Sequence, residues 1–96
     1  MTGCTPQQLC AAVGGTLLQD SGAVVTEVST DSRAIPAGAL FVPLAGERFD
    51  GHDYLDAALS GGASGCLTAK TPVSLQKGKF YIQVSDTLAA LKALAA

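Results

Sequence analysis

Ninety-six residues make one small domain, or a piece of something larger, with a modest core. An apolar fraction of 48% argues against a disordered or fibrous chain. Six basic and eight acidic residues leave a net charge of −2, with no basic block for a nucleic-acid backbone, and two Tyr, three Phe and no Trp make a poor base-stacking platform. Thr5-Pro6-Gln7-Gln8 predicts a helix start, with Thr at the N-cap, Pro at the first helical position and Gln closing a capping box. Leu9, Cys10 and Val13 supply its apolar stripe, and Gly14-Gly15 ends it. Thr16–Leu18 reads as a short strand and Val24–Val28 as a second, rich in β-branched residues. Ser29–Arg33 is a polar loop, followed by a tight turn over Ile35–Gly38.

Leu40–Leu44 is an apolar run expected to be a buried strand, with Pro43 at its end or on an edge because it cannot donate to a ladder. Ala45 to Gly51 is a loop. From Asp53, Tyr54, Leu55, Ala58 and Leu59 recur at helical spacing up to Gly61-Gly62. Gly65–Thr68 reads as a strand, Thr71 to Gly78 as a loop and Phe80–Val84 as the clearest strand. Ser85 or Asp86 caps a last helix, whose Leu88, Leu91 and Ala95 align on one face. The alternation predicts an α/β fold: a small three-layer sandwich with a mixed sheet of about five short strands and flanking helices. One domain over 1–96 is expected. The last helix reaches Ala96 without a cap or a polar tail, and charged residues make up only 15% of the chain. Both features fit a domain cut from a longer chain that covers part of its surface.

Three cysteines, Cys4, Cys10 and Cys66, have neither disulfide nor zinc spacing, so reduced thiols in a cytoplasmic protein are expected. No apolar run reaches the ~20 residues needed to cross a bilayer, and no membrane partner is expected. Ser32 lies outside any nucleophile elbow, and the single His52 offers a triad only if it reaches Ser32. Gly78-Lys79 is followed by Phe80, so no phosphate loop is present, and the Gly61–Gly65 stretch follows a helix and reads as a turn. Two polar segments remain, Thr30–Arg33 and Gly46–His52. Each mixes carboxylate and guanidinium, with a hydroxyl or an imidazole beside them, over a small area, which suits an anionic or sugar-like ligand. Two blander readings stay open: Asp31 and Arg33 can pair with each other, and Asp50-Gly51 can be a turn that caps the next helix.

The chain resembles the N-terminal domain of the Mur ligases, most closely the branch that adds D-alanyl-D-alanine. The matching residues are Val28–Arg33, Pro36–Val42 and Leu44–Tyr54, followed by Ala57-Ala58, Gly62-Ala63 and Val84–Leu91. The block G-E-R-F-D-G-H-D-Y after L-F-V is the specific part; T-D-S-R alone is weak. Pro43 and Ala39 depart from the usual small and acidic residues. The resemblance implies a domain that anchors the uridine-diphosphate end of a UDP-N-acetylmuramoyl peptide. Ser32, Glu47, Arg48 and Phe49 would line that site, supported by Asp31, Arg33, Gly46, Asp50, Gly51 and His52. It implies no catalytic residue, metal or cofactor in these 96 residues. ATP and Mg²⁺ would belong to central and C-terminal domains of a monomeric parent, and this piece alone would be inactive. The sibling branch that adds the third peptide residue, and a stand-alone binding module of the same fold, are the alternatives.

Overall fold

The computed structural model describes residues 3–44, 54–71 and 75–95. Its elements run α1 (Pro6–Val13), β1 (Thr16–Gln19), β2 (Val28–Ser29), β3 (Leu40–Phe41), α2 (Leu55–Ser60), β4 (Gly65–Thr68), β5 (Phe80–Gln83) and α3 (Thr87–Ala95). The strands form one mixed sheet in the order β1-β5-β4-β3-β2. The β2–β3, β3–β4 and β4–β5 pairs are parallel, and β1 joins β5 antiparallel with an irregularity between Leu17 and Gln19. This is the α/β sandwich with a five-stranded mixed sheet that the sequence predicts.

Side-chain alternation along the strands sorts the core into two clusters. Leu40, Val42, Leu67, Phe80, Ile82 and Val84 point to one face, where they meet Leu9 of α1 and Ala90 of α3. Phe41, Cys66 and Tyr81 point to the other, under Ala58 and Leu59 of α2. Helices on both faces of parallel strands explain why β4 is buried at all four positions instead of alternating. Gly65 makes the first face possible. It pairs with Phe80, and a Cβ there would lie 2.3 Å from that ring's Cγ. The aromatic ring thus occupies the volume a side chain on β4 would need.

Local chemistry sets the helix ends. The Thr5 hydroxyl accepts from the Gln8 N–H (3.2 Å), and the Gln8 side-chain oxygen accepts from the Thr5 N–H (2.9 Å), closing the expected box. Gly14 ends α1 at φ 66°, a left-handed conformation that glycine adopts without strain. Asp86 caps α3 by accepting from the Leu88 and Ala89 N–H groups. No helix joins β4 to β5 among the described residues; side chains tie this connection down instead. The Gln76 N–H donates to the Tyr81 hydroxyl (2.9 Å), and the Gln19 side chain donates to the carbonyls of Gln76 and Lys79 (2.7 Å each). Lys79 Nζ reaches the Ala63 carbonyl at 2.8 Å.

Three expectations change. The strand predicted over Val24–Val28 keeps only Val28, which forms β2 with Ser29 from the predicted loop; Val25 instead makes an isolated antiparallel bridge with Cys4, and bonding to β3 starts at the Glu27 carbonyl. The predicted Leu40–Leu44 strand pairs over Leu40–Phe41, and buried Pro43 lies just beyond it with no N–H to offer. On α3, Leu88 is 47% exposed, while Thr87 and Ala90 are buried and Leu91 and Leu94 pack against the core. The helix is apolar nearly all round, so α1 rather than periodicity chooses the inner face, and small Ala90 permits the close approach.

Candidate functional site

β2 ends at Ser29, and Thr30 to Arg33 turn away from its carboxyl end. β3 runs parallel to β2, and α2 returns from the carboxyl end of β3 towards β4. The 30–33 turn and the start of α2 therefore meet at one end of the sheet. Between them lies a cleft of about 400 Å³ lined by Thr30, Asp31, Ser32, Arg33 and Tyr54. Clefts outside the carboxyl ends of parallel strands are the usual ligand sites of open α/β sheets.

The turn is built by its own polar groups. The Ser29 hydroxyl accepts from the Asp31 N–H at 3.2 Å, and Asp31 Oδ1 accepts from the Arg33 N–H at 2.9 Å. The same Oδ1 accepts from Arg33 Nε at 3.3 Å, and the Ala34 N–H closes the turn on the Asp31 carbonyl. The two bonds from Arg33, its backbone N–H foremost, hold the Asp31 carboxyl below the usual carboxylate range. Asp31 and Arg33 do pair, as one reading of the sequence allows, and they line the cleft as well. With the Arg33 side chain 89% exposed, the ion pair adds little to stability. Its effect is to orient the guanidinium.

Ser32 is half-buried in the cleft, and its hydroxyl makes no hydrogen bond among the described residues. The predicted residues Ser32, Asp31 and Arg33 are therefore together. Gly46, Glu47, Arg48, Phe49, Asp50, Gly51 and His52 lie outside the described residues, as does any approach of His52 to Ser32. Tyr54 is the lining residue that sequence reasoning passes over. Its spacing with Ala58 suggests a core position, yet it sits at the N-cap of α2, 43% exposed. Its place directly after a polar, glycine-bounded loop was the signal available.

Away from the cleft, the chemistry is quiet. Burial pushes the Cys66 thiol up to about 12, so it stays protonated and unreactive. Among the described residues there is no cluster of three or more potential metal ligands, and no helix is long and apolar enough to cross a membrane.

The family profile described as "Mur ligase family, catalytic domain" matches residues 24–96. The UDP-N-acetylmuramoyl-tripeptide–D-alanyl-D-alanine ligase of Bacillus subtilis is 37% identical over 93 residues, 95% of this chain and 20% of that protein. The UDP-N-acetylmuramoyl-L-alanyl-D-glutamate–2,6-diaminopimelate ligase of Oceanobacillus iheyensis is 45% identical over 71 residues, 74% of this chain and 14% of that protein. A crystal structure of MurF from Acinetobacter baumannii superposes with a TM-score of 0.83 at 29% identity, covering 96% of this chain and 20% of that one. The chain spans about a fifth of the length of such relatives or less.

Proposed function

Because the chain belongs to the Mur ligase family and has the fold of its N-terminal domain, we propose that it anchors the UDP end of UDP-N-acetylmuramoyl-tripeptide for a ligase that adds D-alanyl-D-alanine during peptidoglycan synthesis. The observation that carries this reading is the cleft itself. It places a hydroxyl, a carboxylate, a guanidinium and an aromatic ring around a volume suited to part of a nucleotide. Such a handle binds far from the reacting carboxylate. Its contacts orient the substrate and convert binding energy into positioning for chemistry performed elsewhere.

In this reading the parent is a cytoplasmic, ATP-dependent peptide ligase. Among these 96 residues there is no G-x-x-x-x-G-K-[ST] loop, and among the described ones no carboxylate cluster for Mg²⁺. ATP and Mg²⁺ are therefore assigned to the rest of the polypeptide, whose central and C-terminal domains complete the substrate site. Glu47, Arg48 and Phe49 would join Ser32 from the loop before Tyr54, Phe49 with an apolar face for the base. The sibling activity, addition of the third peptide residue, draws support from the 45% identity of the diaminopimelate ligase. The 37% identity to the D-alanyl-D-alanine ligase over 95% of the chain, with the MurF structure superposing over 96% of it, supports the first reading.

The test is a titration of labelled chain with UDP and UDP-N-acetylmuramic acid, followed by amide chemical shifts. Shifts clustering at 30–33 and 46–54 are expected. Shifts centred on 61–65, or binding unchanged by Ser32→Ala combined with Phe49→Ala, would refute the anchoring site.

A further inference from the structure

The Asp31–Arg33 pair has a geometry that an ion pair made only for stability does not need. Asp31 Oδ1 takes both the backbone N–H of Arg33 and its Nε, fixing the side chain at its root and at the near edge of the guanidinium. The two terminal nitrogens, Nη1 and Nη2, make no hydrogen bond among the described residues, and the side chain lines the cleft beside Ser32. A long, exposed side chain loses rotamer freedom when it is held in this way. What is gained is a planar donor fork presented in a fixed direction, which matches two oxygens of a phosphate.

Resting on the anchoring function proposed above, we propose that Arg33 grips the diphosphate of the nucleotide handle through its terminal fork, and that Asp31 is the positioning residue that aims it. The pair carries no net charge, so its attraction for a diphosphate is short-ranged and depends on bidentate hydrogen bonding instead of a long-range field. Lysine, a point charge without a fork, cannot replace arginine here. Asparagine can replace Asp31 in part, because its side-chain oxygen still accepts both bonds from Arg33. Alanine cannot.

The experiment compares UDP with uridine on the wild-type chain and on Arg33→Lys, Arg33→Gln, Asp31→Asn and Asp31→Ala, each first shown to be folded by its amide spectrum. Losing a charge-assisted bidentate contact should weaken UDP binding roughly ten- to a hundredfold in both Arg33 variants. The shifts induced by uridine at one fixed concentration should stay as in wild type. Asp31→Ala should lose part of the preference for UDP, and Asp31→Asn should keep more of it than Asp31→Ala does. If UDP binds the Arg33 variants as tightly as wild type while its shifts still map to 30–33 and 54, this inference is overturned and the anchoring site stands. An equal loss for UDP and uridine likewise overturns it, because the residue would then support the fold or the base end. If the wild-type chain binds no UDP, or binds it elsewhere, both readings fall.

Discussion

Replacing Gly65 by alanine adds one methyl group at the most crowded point of the sheet. The new Cβ would stand 2.3, 2.4 and 2.5 Å from Cγ, Cδ1 and Cδ2 of Phe80. Carbon atoms pack best at about 3.5–4.0 Å, so the ring would have to retreat by about 1 Å. The clash falls at the root of the ring, so rotation about χ2 cannot relieve it. Phe80 is fully buried, and its N–H is bonded to the Ser64 carbonyl at 3.2 Å, which leaves it nowhere to go. Overpacking of this kind costs typically 1–3 kcal/mol, against about 5–14 kcal/mol for a chain of this length. With a melting shift of about 4–8 °C per kcal/mol, Gly65→Ala should melt roughly 5–20 °C lower. Circular dichroism melts and urea titrations measure the loss. Phe80→Ala removes Cγ, Cδ1 and Cδ2 together, so the double variant should be less destabilised than the sum of the single ones by about 1 kcal/mol or more. A Gly65→Ala chain that melts with wild type, or strict additivity in the cycle, would refute the packing argument.

Ile82 faces Leu67 and Leu17 at the centre of the larger cluster with no exposure; truncation to alanine should cost about 2–5 kcal/mol in urea titrations, and a loss under 1 kcal/mol would misplace the core. Burial, with a smaller contribution from Asp56, raises the Cys66 thiol from 9.0 to about 12. The folded chain therefore keeps a proton that the unfolded chain releases above about pH 9, so this contribution is intact below pH 9 and is lost as pH climbs towards 12. Urea midpoints measured from pH 8 to 11 should fall, and fall less steeply in Cys66→Ala; parallel curves would contradict the assignment. A thiol reagent near neutral pH should label half-buried Cys4 and Cys10 well before Cys66.

Features with local causes were legible in the sequence. Thr5, Pro6, Gln8 and Gly14 specify α1 through bonds within a few residues, and the capping box closes as the spacing predicts. The strands at Leu40, Gly65 and Phe80 announce themselves because strands covered on both faces read as near-continuous apolar runs. What depends on distant partners was not legible. The exposed side of α3 is decided by α1, some eighty residues away in sequence, and the break at Val25 by its bridge to Cys4. Within the site, the T-D-S-R block could be read as a pair or as a ligand surface, and in the fold Asp31 and Arg33 pair while the block lines a cleft. Tyr54 was hidden by a spacing it shares with the core residues that follow it.

The turn that lines the cleft is suspended from a two-residue strand at the margin of the sheet. β2 is two residues long and, among the described residues, pairs with β3 alone, where backbone bonds such as Leu40 N–H to the Glu27 carbonyl and Val42 N–H to the Ser29 carbonyl, each 2.9 Å, fasten it. Releasing them frees the 27–33 stretch without uncovering Phe80, Ile82 or Tyr81. This margin therefore has an opening equilibrium of its own, shallower than global unfolding, and the amides of Leu40 and Val42 report it by hydrogen exchange. Substitutions in the core can lower the melting temperature while leaving the cleft's own opening untouched. A molecule seated against residues 30–33 would slow exchange at these two amides long before it altered the melt.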